Sequence, residues 1–148
     1  MIIGVAKETK LKENRVALNP DVVKDLIKKG FEVQIESGAG LNSFYNDEAY
    51  QNAGAAVVSR ADLYAKSDVL LRVNPPSEEE ITLMKKGAVL ISFMWALSNP
   101  ALVDACAKAG ISAFSMDAVP RISRAQKMDA LSSQANLGGY KAVLLAAD

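Results

Sequence analysis

"KKGAVLISF", residues 85–93, ends a polar run at Gly87 and continues as an apolar, extended run. The same arrangement occurs in "KKGFEVQIE" at 28–36, "NAGAAVV" at 52–58 and "KAGISAFSM" at 108–116. Glycine just past a helix end adopts the left-handed cap most easily, so each stretch reads as helix, cap, strand. The residues upstream agree. Asn19-Pro20 and Asn99-Pro100 read as a cap followed by the first helical position. Val22, Val23, Leu26 and Ile27, and later Leu102, Val103 and Cys106, then recur at helical spacing. Ser77 followed by Glu80 makes a capping-box pattern ahead of Ile81 and Met84.

Strands are therefore expected near residues 2–6, 31–36, 55–58, 68–73, 88–93 and 111–115. They are nearly continuous in Val, Ile and Leu, as strands buried between two helical layers are. Strand and helix in alternation imply a parallel sheet with helices on both faces. The fold class is α/β, a doubly wound, mostly parallel sheet of the flavodoxin/Rossmann-like kind over residues 1–128. Residues 129–148 differ. A single helix is expected from Ala130 to Asp148, with Leu131, Ala135, Tyr140, Val143, Leu144 and Ala147 available for burial. It shows no closing cap and reads as a connector toward a further domain.

Composition narrows the function. Half of the 148 residues are apolar and 23% are charged, a globular balance. Seventeen basic residues match seventeen acidic ones, which argues against a nucleic-acid or anionic-membrane binder. The lone cysteine, Cys106, cannot close an internal disulfide and sits in an apolar helical pattern, so it reads as a packing residue in a reducing compartment. No histidine occurs, which removes Ser–His hydrolysis, histidine acid–base catalysis and histidine metal sites; no metal is expected. No apolar run reaches the ~18 residues of a membrane helix, so no insertion by this chain is expected.

Several stretches carry polar groups to the ends of strands, where open α/β sheets form their ligand crevice. "ETKLKENRVAL" at 8–18 has Lys10, Lys12 and Arg15; Arg15 reads either as pointing inward toward an anion or as part of a solvated basic loop. "LLRVNPPSEEE" at 70–80 puts Arg72 and Asn74 at a strand end, and "LISFMWALSNP" at 90–100 does the same with Met94 and Trp95. Turn chemistry with a core aromatic and a ligand crevice fit these two equally. "SGAGLNSF" at 37–44 lacks the third small residue that opens a helix in a dinucleotide fingerprint, and reads as a tight structural turn.

"RISRAQKMDALSSQANLGGY" at 121–140 is the most informative stretch. Pro120 discourages helix before it, so Arg121 starts a loop. Arginine offers fixed forked donors to a phosphate or carboxamide oxygen. Gln126 can donate and accept toward a ribose hydroxyl. Asp129 suits the cap of the following helix, and Ser132 and Ser133 fall in its first turn, where free N–H groups favour an anion. Capping alone accounts for Asp129 or one serine; it does not account for Arg121 and Gln126.

"VPRISRAQKMDALSSQANLGGYKAV" closely resembles a loop of the NAD(H)-binding component, the alpha subunit, in the proton-translocating NAD(P) transhydrogenase family. The similarity extends through "GVAKETKLKENRVALNP", "VQIESGAG", "LLRVNPP", "LISFMWALSNP" and "AFSMDAVPRISRAQ", nearly the whole chain. The resemblance implies that Arg121, Gln126, Asp129 and Ser132 hold the nicotinamide–ribose end of NAD(H), with Gln126 and Asp129 at the transfer site. It implies hydride transfer to NADP(H) on a partner component, coupled to a proton-translocating membrane component. It further implies a homodimer, placed in the cytoplasm or on the cytoplasmic face of the inner membrane. A second, glycine-rich nucleotide domain would follow residue 148, so this chain alone would supply half a pocket and be inactive. The sister family, alanine dehydrogenase, keeps an arginine at the position of Arg15, a lysine at Arg72 and a catalytic histidine at Trp95. The departures at Arg72 and Trp95 weigh against the two alternatives' enzymatic member, an alanine dehydrogenase-like oxidoreductase. The other alternative is a non-catalytic assembly module.

Overall fold

Six strands form one parallel sheet in the computed structural model, which describes residues 1–147: β1 (Ile2–Val5), β2 (Glu32–Glu36), β3 (Ala56–Val58), β4 (Val69–Leu71), β5 (Val89–Ser92) and β6 (Ser112–Ser115). Their order is β3-β2-β1-β4-β5-β6. The chain winds outward from β1 to β3, then returns to place β4 on the other side of β1. Ile3 consequently sits beside both Val33 and Val69, and Leu70 beside Leu90. The reversal lies between β1 and β4, where doubly wound folds open their crevice.

The helices are α1 (Pro20–Lys28), α2 (Asp47–Asn52), α3 (Arg60–Lys66), α4 (Glu78–Leu83), α5 (Pro100–Ala109) and α6 (Ala130–Ala147). Gly30, Gly54, Gly87 and Gly110 all have positive φ, 69–97°, which a side chain would strain. Gly30, Gly54 and Gly110 stand at the ends of α1, α2 and α5 as expected. Gly87 departs, because α4 already ends at Leu83 with Met84 extended, and Gly87 instead lies in the turn closed by the Ala88 amide on the Lys85 carbonyl before β5. Asn19 Oδ1 accepts from the Val22 amide at 2.9 Å. Ser77 and Glu80 complete both arms of the capping box. Asn99 departs from the expectation. Its side chain makes no cap bond and instead donates to the Met94 carbonyl at 3.0 Å, closing the turn before α5.

Two cores flank the sheet. On one face Val23 of α1 and Tyr50 of α2 pack with Val5, Val33 and Ile35. On the other, Leu63, Tyr64, Ile81, Leu102 and Cys106 pack on Leu70 and Leu90. Each large apolar side chain so buried contributes roughly 1.5–3 kcal/mol. Cys106 is a packing residue, and burial pushes its thiol pKa up.

On the α1/α2 side the cover thins past β1, where Leu71 of β4 is only partly buried against that core. Beyond it Ile91 and Phe93 stay half-buried and Phe114 is 61% exposed. The last helix forms where expected, although Asp148 lies outside the described residues. Its packing differs from the expectation. Leu131 is half-buried, while Ala135, Tyr140, Val143, Leu144 and Ala147 are exposed. Apolar residues run around the whole helix, so no single stripe can turn toward the domain. It packs beside the Met116–Ala118 turn, and Ala130, Gln134 and Leu137 line a crevice against the sheet.

Candidate functional site

The segment after β6 is built from short turns. Met116–Ala118 and Gln126–Met128 each form one 3-10 turn, and between them Ala125 is buried and anchors the loop. The Ala125 amide donates to the Ile122 carbonyl at 2.9 Å. Asp129 then caps α6. Its Oδ1 accepts from the Ser132 amide at 3.0 Å and its Oδ2 from the Ser132 hydroxyl at 2.5 Å. This geometry brings Arg121, Gln126, Asp129 and Ser132 onto one cavity of about 330 Å³, together with Ile122 and Ser123. All four residues predicted for the site converge there.

Their electrostatic states differ. The Ser132 hydroxyl, its amide and the Arg121 guanidinium hold the Asp129 carboxyl below the usual carboxylate range. Ser133 Oγ donates to the Asp129 carbonyl at 3.1 Å. Among the described residues, no side-chain hydrogen bond or ion pair engages Arg121 or Gln126. The start of α6 is thus less open than the sequence suggested. Its Ser132 amide is taken by Asp129, so an exogenous phosphate would compete with a fixed carboxylate. What remains free is one guanidinium, one carboxamide and the outer lone pairs of Asp129. That set offers forked cationic donors, an amide that both donates and accepts, and a carboxylate acceptor, which together suit a ligand presenting an acceptor oxygen beside hydroxyl or amide hydrogens.

A larger crevice of about 530 Å³ lies on the other flank of α6, between Arg15, Arg72, Phe93 and Gln134. Volume alone would favour it, but its cations are already paired. Arg15 forks onto Glu13, Nε to Oε1 and Nη2 to Oε2, both at 2.7 Å. That contact, first among several, lowers the Glu13 pKa to about 2. The inward, anion-seeking reading of Arg15 therefore gives way to an internal pair. Arg72 is 5% exposed and lies between Tyr64, Glu80 and Glu8; its Nη1 is 2.9 Å from the Tyr64 hydroxyl and 2.5 Å from Glu80 Oε2. Arg60 also pairs with Glu80. Burial raises the Tyr64 pKa to about 12, so it remains a neutral donor to Glu80 at 3.0 Å. Glu8 accepts from the Val73 amide at 2.7 Å and from Asn74 Nδ2 at 3.1 Å. The ends of β1 and β4 and the start of α4 are thereby tied together.

At the end of β5 the structure separates two neighbours that sequence left together. Met94 is buried, whereas Trp95 is 47% exposed with φ 50° and stacks on Phe93. A core aromatic at 95 is thus replaced by a core methionine. The turn is held by Asp117, whose Oδ1 accepts from the Met94 and Trp95 amides and the Ser115 hydroxyl at 2.8, 3.1 and 2.6 Å. Burial opposes ionisation of Asp117, but the Ser115 hydroxyl and those amides outweigh it and keep its pKa low. Sequence reading missed Asp117, Glu8 and Glu13; an acidic residue just past a strand end was the available signal. The Gly38–Gly40 segment is a structural turn. Asp47 accepts from Ser37 Oγ and the Gly38 amide, each at 2.8 Å, and a Cβ on Gly40 would lie 2.5 Å from the Tyr50 ring.

No group of three His, Cys, Asp or Glu suited to a metal occurs among the described residues, and none of their helices is long and apolar enough to cross a membrane. The chain matches the family model "Alanine dehydrogenase/PNT, N-terminal domain" over residues 4–138. It is 46% identical to the NAD(P) transhydrogenase subunit alpha of Haemophilus influenzae, covering 99% of this chain and 28% of that subunit. It is 35% identical to the alanine dehydrogenase of Bacillus subtilis, covering 99% of this chain and 38% of that enzyme. The crystal structure of transhydrogenase from Sinorhizobium meliloti superposes with a TM-score of 0.95 at 47% identity, over 99% of this chain and 44% of that one. The chain thus spans less than half the length of these relatives. It belongs to the alanine dehydrogenase/PNT N-terminal domain family, and its likeness to these transhydrogenases is greater than its likeness to that alanine dehydrogenase.

Proposed function

We propose that these residues form the NAD(H)-facing first domain of the alpha subunit of a proton-translocating NAD(P) transhydrogenase. The observation that carries this reading is the convergence of Arg121, Gln126, Asp129 and Ser132 on one cavity, with two of them lacking internal partners. Bound NAD(H) would supply the hydride chemistry itself. The chain's part is to bind and orient. Arg121 presents forked donors to the carboxamide, Gln126 fixes the ribose, and Asp129, locked by Ser132, accepts from a cofactor amide or hydroxyl. No side chain acts as nucleophile or general base. Correct placement of two reacting rings can contribute ~7–11 kcal/mol. The remaining cofactor contacts belong to a second domain, the acceptor NADP(H) to a partner component, and proton movement to a membrane component. The assembly is a homodimer on the cytoplasmic face of the membrane.

An alanine dehydrogenase-like reading has the identity to the Bacillus subtilis enzyme in its favour. Against it stand Trp95 in place of a histidine and the internal pairing of Arg15 and Arg72. Trp95→His in the full gene product is expected to yield no alanine-dependent NAD reduction. Turnover near ~10 per second would overturn that distinction.

Gln126→Asn separates positioning from binding. The shorter side chain keeps its amide but withdraws it from the ribose. In the full gene product with its partner components, stopped-flow hydride transfer should slow roughly a hundredfold, the cost of a misplacement of about 1 Å. Equilibrium NADH binding should weaken by only ~1 kcal/mol, one neutral hydrogen bond. Equal losses would make Gln126 a binding contact only, and an unchanged transfer rate would remove it from the site.

A further inference from the structure

The loops after β1 and β2 run side by side at the same sheet edge as the crevice. Ser43 Oγ donates to the Asn14 carbonyl at 2.5 Å, and Leu41 and Lys7 both flank Gly38. Together they display Phe44, Leu11 and Leu41 at 98%, 88% and 56% exposure. Lys12 and Phe44 have φ of 66° and 64°, a left-handed backbone that L-residues disfavour. Neither loop recovers that strain by burying the apolar side chain it lifts out. Contiguous exposed apolar residues often mark interaction sites, and these three sit on two loops joined by the Ser43–Asn14 bond.

Charge is partitioned across the same loops. Glu8 is spent on Val73 and Asn74, Glu13 on Arg15 and Asn74, Glu36 on the Lys7 amide, and Asp47 on Ser37 and Gly38. Lys10 and Lys12 are exposed and form no ion pair among the described residues. Those four carboxylates are engaged within the fold while Lys10 and Lys12 face outward; Glu48, at the start of α2, is the exposed acidic neighbour.

We propose that Phe44, Leu11, Leu41, Lys10 and Lys12 form a docking knob for an acidic protein surface, an apolar socket rimmed by carboxylates on another subunit of the enzyme. The identity of that partner rests on the transhydrogenase reading. A second copy of the chain fits poorly, because a two-fold contact would set lysines against lysines. A membrane fits poorly too. Lipid recognition takes clusters of about 4–8 basic residues, and two lysines fall short. The loop that carries Leu11 also carries Arg15 into the crevice, so a partner on the knob stands at the crevice mouth.

The test uses the full gene product and the enzyme's remaining subunits from the same organism, with Kd measured across a salt series. Lys10→Glu/Lys12→Glu should raise Kd about tenfold at low salt, with the difference narrowing as salt rises. Phe44→Ser should raise Kd about tenfold at every salt concentration. NADH titration should be unchanged in both variants. Assembly with wild-type Kd would overturn the proposal. So would loss of stability in both variants, which would assign the knob to packing within the chain. Binding of wild type to anionic phosphatidylserine vesicles, lost in the lysine variant, would assign it to a membrane instead. Wild type that binds neither the subunits nor NADH would overturn the transhydrogenase reading and this proposal with it; wild type that binds both while the variants bind equally well would overturn the knob alone.

Discussion

A pair of arginines and a single arginine flank the first turn of α6, and they are used in opposite ways. Arg15 and Arg72 line the larger crevice but are held by Glu13, Glu8 and Glu80 of the same chain. Arg121 lines the smaller cavity beside Gln126 and makes no ion pair among the described residues. A cation committed inside the fold fixes geometry; one left free at a cavity wall is available to a ligand. The size of a cavity says less about its use than the state of the polar groups around it. Arg15 and Arg72 therefore serve stability, and Arg121 is proposed to serve cofactor recognition.

The largest expected effect lies in the closed group. Arg72→Met would leave Glu8 without its guanidinium and Glu80 with Arg60 alone, in a site that is almost fully buried. Breaking such a buried network costs about 3–5 kcal/mol, read as a lower urea midpoint. A loss below ~1 kcal/mol would mean that the network is not structural. Ser77→Ala removes one arm of the capping box at the edge of the same network and should cost ~1 kcal/mol in the same experiment. The smallest effect is a pH dependence. Glu13 titrates near 2 in the folded chain, below its unfolded value, so its contribution is present above the ordinary carboxylate range and fades as pH falls toward 2. Glu13→Gln should flatten the acid limb of stability between those limits. An unchanged limb would mean that the Arg15 fork contributes nothing to folding.

Much of this contrast was legible in the residues, and what was not shares one cause. Four of the six strands followed from a glycine turn and the apolar run behind it, and β1 and β4 from their apolar runs alone, all local signals. The grouping of Arg121, Gln126, Asp129 and Ser132 was also local, because a short loop and one helical turn suffice to bring them together. The partners of Arg72 were hidden because Glu8 and Tyr64 reach it only through the sheet order. The sequence left Trp95 open between a core aromatic and a crevice residue because its exposure depends on Asp117, 22 residues on, which fixes a turn that no propensity predicts. For α6, the residues available for burial were visible, but nothing local could say that their spread around the helix would leave them exposed.

The central claim is tested most directly by Arg121→Ala in the full gene product, with NADH affinity and stability measured on the same preparation. Calorimetric titration should show affinity weakened about tenfold, the ~1.5 kcal/mol of a hydrogen bond to a charged group. Urea unfolding of that sample should stay within about 0.5 kcal/mol of wild type, as for a surface change with no internal partner. Unchanged NADH affinity would contradict the account. So would a loss of stability comparable to that of Arg72→Met, because it would place Arg121 in the structural group.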